Sequence, residues 1–132
     1  MISKKPTIFI IDGLNFVRSF LFHGISAKED SASSELIFWL EDLSQTELIG
    51  STFRVIFDGT FRDISQRQCQ NVDAIFTEEI TADELILEQA TFLNRQGQRV
   101  NVITSDRELA QKLREQKIKT ISCSKFFSDF FN

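Results

Sequence analysis

The chain has 132 residues, 42% of them hydrophobic, which is the size of one domain able to bury a core without disulfides or a structural metal. Its formal net charge is −4 and its pI near 5.0, so no overall positive field exists to hold a nucleic-acid backbone; such a contact must be local, metal-assisted or shared with a partner. Cys69 and Cys123 stand far apart and belong to no CxxC or Cys/His cluster, which argues against a disulfide framework and a zinc site and for a reducing, cytoplasmic setting.

The first apolar run, Thr7 to Ile11, is too short for a signal sequence or a membrane span. It lacks polar alternation, as suits a strand covered on both faces, and it stops at Asp12-Gly13. A short helix is expected from about Leu14, and Gly24 to Ser33 reads as a loop. Ser34 to Ile49 carries Leu36, Ile37, Trp39, Leu40, Leu43 and Leu48 at helical spacing, enough to pack on a sheet. Phe53 to Phe57 repeats the first strand pattern and again stops at an acid and a glycine, Asp58-Gly59. Val72 to Phe76 follows as a third strand. Thr81 to Gln96 predicts a helix with Ala82, Leu85, Ile86, Ala90 and Leu93 on one face and Gly97 beyond its end. Val100 to Thr104 is a strand, Asp106 to Gln116 a helix with Leu109, Ala110 and Leu113 inward, and Lys119 to Ser122 a fifth strand. Phe126, Phe127, Phe130 and Phe131 would stripe one side of a final helix, which docks on the sheet or, if exposed, supports a homodimer or attachment to a larger particle such as the ribosome. Strands alternating with helices predict a three-layer α/β/α domain over residues 1–132, with a mainly parallel sheet of about five strands.

On this outline Asp12, Asp58 and Asp106 fall at or just past the carboxyl ends of strands, and Asp83 falls in the first turn of the helix beginning at Thr81. Ligands bind at that edge of open parallel sheets. Two carboxylates at about 4 Å repel by roughly 4 kcal/mol at an effective dielectric near 20, so a cluster needs shared protons or a cation. Mg²⁺ or Mn²⁺ suits such an all-oxygen site, and the chemistry it supports is phosphodiester hydrolysis. Simpler roles compete at each position. Asp12-Gly13 and Asp58-Gly59 also fit strand-ending turns. Thr81-Ala-Asp-Glu84 and Ser105-Asp-Arg-Glu108 both match a capping box, in which Glu84 and Glu108 would be the caps. Asn15 either orders a water or phosphate beside Asp12 or caps the first helix. His23 is the sole histidine, which suits a structural or solvent-facing role.

Taken together, Ile11-Asp-Gly-Leu-Asn15, Val55-Ile-Phe-Asp-Gly59, Ile75-Phe-Thr77, Thr81-Ala-Asp-Glu84, Ile103-Thr-Ser-Asp-Arg-Glu-Leu109 and Ile121-Ser-Cys-Ser-Lys-Phe126 resemble a YacP-like NYN domain of the PIN-like nuclease superfamily. The resemblance implies a Rossmann-like PIN/NYN fold and a divalent-metal acidic site that cuts RNA, with Asp12, Asp58, Asp83 and Asp106 as catalytic and metal-holding residues and Asn15 beside them. The family usually has an aromatic where this chain has Leu14. Arg18, Arg62, Arg67 and Arg107 are candidate phosphate contacts, in stretches expected near the active edge. The implied partners are RNA and a ribosome or other RNA-bound protein, without a membrane. Two other readings keep the same outline: a module that binds RNA or ribosomes with little catalysis, and a receiver-type phosphoacceptor using Asp58.

Overall fold

All five strands expected from the sequence form, and every pairing between them is parallel. The computed structural model describes residues 2–25, 28–62 and 69–131. The strands are Ile8–Asp12 (β1), Thr52–Phe57 (β2), Val72–Phe76 (β3), Val100–Ile103 (β4) and Lys119–Ile121 (β5), in the order β3-β2-β1-β4-β5. A receiver-type sheet runs 2-1-3-4-5 instead, so the topology removes the phosphoacceptor reading. The helices are Gly13–Phe22 (α1), Glu29–Gln45 (α2), Ala82–Arg95 (α3), Arg107–Glu115 (α4) and Cys123–Phe130 (α5). Among the described residues no helix is long and apolar enough to cross a membrane.

Strand parity builds the three layers. Phe9 and Ile11 of β1 and Phe53, Val55 and Phe57 of β2 pack with Phe16, Leu36, Leu40 and Phe126, burying one sheet face under α1, α2 and α5. Ile10, Ile56 and Val102 belong to a second cluster with Ile86, Ala90, Leu109 and Leu113, which places α3 and α4 on the opposite face. The apolar stripe of α5 is its inward face. Phe126, Phe127 and Phe130 are buried, and Phe131 is half-buried against Phe20, Trp39 and Phe127. Most of that stripe therefore docks on the core, with Phe127 and Phe131 also reaching the groove beside α1.

The loop expected over Gly24 to Ser33 is shorter than the sequence suggested, because α2 already begins at Glu29. Glu29 and Asp30 favour a helix N-terminus through the macrodipole, and the Ser33 hydroxyl turns back to the Glu29 carbonyl at 2.8 Å, so a serine-rich segment reads as loop yet folds as helix. At the other end α2 stops at Gln45 rather than Ile49: the Leu48 amide returns to the Leu43 carbonyl, which buries Leu48 outside the helix.

Two residues anchor the sheet's edges. Gly13, the first residue of α1, lies so close to β2 that a Cβ there would stand 2.6 Å from the Phe57 ring and 2.9 Å from the Ile56 carbonyl oxygen. Gly13→Ala is expected to destabilise by about 2 kcal/mol, read from urea unfolding, and to displace Phe57 and with it the neighbouring Asp58. Glu41 is buried on α2 and accepts the backbone amides of Gln70 and Asn71 at 2.9 and 3.0 Å, as well as Ser44 and Gln45 side chains. Burial pushes its carboxyl up, but the hydrogen bonds from Asn71, Gln45, Gln70 and Ser44 outweigh it and hold the pKa below the ordinary value. Glu41→Ala is expected to cost about 3 kcal/mol by stranding the two amides that lead into β3, a loss visible in thermal melts.

Candidate active site

The acids gather where the sheet's connections diverge, at the carboxyl ends of β1, β2 and β4. Asp12 and Asp58 stand two residues beyond Ile10 and Ile56, on the parity of the sheet face that carries α3 and α4. Asp83 lies in the first turn of α3, and Asp106 is the residue before α4. Four distant segments therefore bring their carboxylates to one rim.

Asp12 is the buried member, 4% exposed. It is the N-cap of α1, taking the Asn15 amide at 3.5 Å on one oxygen and the Thr104 hydroxyl at 3.1 Å on the other. Burial drives its carboxyl above the ordinary value; the bonds from Thr104 and Asn15 oppose that rise, and the charges of Asp58 and Asp106 add to it. Asp58 takes the Ala82 amide at 2.7 Å, so the end of β2 fastens the start of α3. Asp106 is the N-cap of α4, accepting the Glu108 and Leu109 amides at 2.9 and 3.1 Å. The capping box expected over Ser105 to Glu108 is thus replaced by a simple cap: Asp106 caps, and the Ser105 hydroxyl accepts the Cys123 amide at 3.2 Å instead. The Thr81 to Glu84 box forms as expected.

Asp83 is exposed and caps nothing, yet its carboxyl is pushed up to about 6. Partial burial contributes most, followed by the charges of Asp106 and Asp12, a hydrogen bond with Asp106, and the charge of Asp58. All three other acids therefore act on Asp83. Among the described residues, no group of three or more His, Cys, Asp or Glu side chains is arranged to hold a metal ion as the side chains stand. As they stand, Asp12, Asp58 and Asp106 each turn an oxygen to a backbone amide. The donor set nevertheless suits a hard divalent cation, being all oxygen, negatively charged and relieved of repulsion only by protonation.

The family model for the YacP-like NYN domain matches residues 9–131. The chain belongs to the YacP-like NYN domain family. Among solved structures, it is similar to Rae1 (YacP) from Bacillus subtilis, at 27% identity and a TM-score of 0.73 over 93% of this chain and 72% of that one. A tryptophan-to-leucine mutant of the same protein gives 28% identity and a TM-score of 0.71 over 93% of this chain and 73% of that one. No curated protein sequence matches the chain. The family match and these neighbours agree with the three-layer, parallel α/β architecture, a PIN-like nuclease fold.

Within this NYN domain, Thr104 is the residue that sequence reasoning passed over. Buried at 3% exposure, its hydroxyl donates to Asp12 and accepts the Asp106 amide at 3.1 Å, joining two of the acids through one oxygen. The signal was the threonine of Thr104-Ser-Asp106, read only for its aspartate. Thr104→Val keeps the shape and removes both bonds; the NYN domain is expected to lose about 2 kcal/mol in a denaturant titration. Asn15 does not cap the first helix. Its side-chain oxygen accepts the Ser105 amide at 2.9 Å, tying α1 to the loop between β4 and α4, while Asp12 does the capping.

The arginines divide. Arg18 and Arg107 are exposed on either side of Ser105. Arg62 is committed elsewhere: its guanidinium lies 5.6 Å from the Phe76 ring centroid, 3.8 Å from Glu29 and 3.7 Å from Asp30, so it fastens the chain after β2 to the start of α2 rather than facing a phosphate. Arg67 falls outside the described residues. His23 is exposed and stacks on Phe127, and Cys123 is a buried thiol whose pKa burial raises to about 11.

Proposed function

We infer that residues 1–132 act as a single cytoplasmic domain that cuts RNA internally, a divalent-metal-dependent ribonuclease using Asp12, Asp58, Asp83 and Asp106. The observation that carries this reading is the placement of Asp12, Asp58 and Asp106 at the carboxyl ends of the strands with Asp83 in the first turn of α3, in a chain of the YacP-like NYN family with a PIN-like nuclease fold. Asp12, Asp58, Asp83 and Asp106 would hold Mg²⁺ or Mn²⁺, which would supply charge neutralisation and an activated water for phosphodiester hydrolysis. The chain's own contribution is to fix the acids. Thr104 sets Asp12 and Asp106 in register, the Ala82 amide sets Asp58, and Asn15 holds the loop that carries Asp106. Arg107 follows Asp106 and Arg18 lies in the groove that reaches Ser105; both suit phosphates near the scissile bond. With a net charge of −4, the domain gains from a partner that already holds the RNA, such as a ribosome or another RNA-bound protein.

A module that binds RNA with little cleavage is the second reading, favoured by the lack of a poised three-acid group among the described residues. A mixed RNA pool incubated with Mg²⁺, Mn²⁺ or EDTA separates the two. Internal fragments that need the metal and vanish with Asp106→Asn support the nuclease. Binding without fragments in any metal supports the module, and equal cutting by both proteins would remove the nuclease reading.

A further inference from the structure

A groove of about 1170 Å³ opens between α1 and α5 and reaches the acidic rim at Asn15 and Ser105. Its walls carry Arg18, Phe22, His23 and Lys125. Ser105 and Ser122 also border a second depression of about 300 Å³ beside Asp106, Arg107 and Arg114, and the two adjoin along those serines as a channel. We propose that this channel seats a single strand of RNA, with unpaired bases against Phe22 and His23 and phosphates along Arg18 and Lys125. The assignment rests on reading the acidic rim as the place where RNA is cut.

Charge selects the occupant. In a chain of net charge −4, Arg18, Lys125, Arg107 and Arg114 all line the channel, and Asp106 is the one acid among the described residues that line it. Arg18 has no ion-pair partner among the described residues, whereas Lys125 is steadied by Asp129 at 3.2 Å. The aromatic surface selects a single strand over a duplex. Phe22 is 86% exposed, although Phe16 and Phe20 on the same helix are buried. The His23 ring lies flat on Phe127, at 4.5 Å between centroids and 4° between planes, and Phe22 meets it edge-on at 5.3 Å. His23 is backed by the buried Phe127 ring, Phe22 stands edge-on beside it, and a base can stack on either exposed ring only when unpaired.

The test measures fluorescence anisotropy of a labelled single-stranded oligoribonucleotide and of its duplex, in Mg²⁺ and in an Asp83→Asn background that leaves the oligonucleotide intact. The single strand should bind more tightly than the duplex. Phe22→Ala and His23→Ala should each raise its Kd about tenfold, and His23→Phe should restore it. Arg18→Ala should reduce the slope of log Kd against log salt by about one. Melting curves of each variant confirm that the fold persists. Failure of wild-type protein to cleave, with this binding pattern intact, would remove the nuclease reading and leave the channel. Cleavage with unchanged Kd in the folded Phe22→Ala and His23→Ala proteins would overturn the channel and leave the nuclease. Equal binding of the duplex, no binding of either probe, or a dimer in sedimentation that Phe22→Ala dissolves would also overturn it.

Discussion

An Asp83→Asn protein is expected to melt a few degrees above the wild type in EDTA at neutral pH and to cut RNA at least about a hundredfold more slowly. The two effects share a cause. With its pKa raised to about 6, Asp83 is mostly ionised at neutral pH while Asp106, Asp12 and Asp58 crowd it with like charge. Removing that charge relieves the folded state by on the order of 1 kcal/mol, once the solvent screening of a largely exposed group is allowed for. The same charge is what a divalent cation would use, so the substitution that stabilises the metal-free domain disables the proposed chemistry. Melting curves paired with a cleavage assay check both halves. A variant that melts lower than wild type in EDTA would mean that the acids are not in mutual repulsion.

The second large effect is the response of metal-free stability to pH. Asp83 and Asp12 hold protons more firmly in the folded chain than in the unfolded one, so neither costs stability well below the ordinary value of 3.8 and both cost it increasingly as pH rises, for Asp83 through about 6. Glu41 works in the opposite direction. Its pKa lies below the ordinary 4.5, so the stability it contributes is complete above that value and is lost as acid protonates it. The metal-free protein should therefore melt highest near about pH 5 and decline on both sides. Millimolar Mg²⁺ should raise the melting temperature mainly above about pH 6, where the rim is charged, and less in Asp12→Asn. A metal effect equal at all pH values, or absent at neutral pH, would count against ion binding by these acids.

Much of the fold was legible because each strand is a short apolar run closed by a turn signal, and each of α3 and α4 shows a clear inward face. The starting point of α2 was not, since Glu29, Asp30, Ser31 and Ser33 have the composition of a loop and become helical through helix-end electrostatics and packing of Ala32 and Ser33. At the site, the strand ends marked Asp12, Asp58 and Asp106, and the start of a helix marked Asp83. Two of their hydrogen bonds could not be read, because they come from groups distant in sequence: the Ala82 amide for Asp58 and the Thr104 hydroxyl for Asp12. Arg62 shows the same limit, since its proximity to Asp58 in sequence suggested a phosphate contact while Glu29 and Asp30 claim it in space.

Asp12, Asp58 and Asp106 each serve the backbone as well as the rim, one as the N-cap of α1, one on the Ala82 amide and one as the N-cap of α4. Asparagine retains the oxygen that accepts those amides, and alanine does not. A lineage that relinquished catalysis while keeping this architecture would therefore drift toward asparagine at these three sites, whereas Asp83, which holds up no helix, is free to become almost anything.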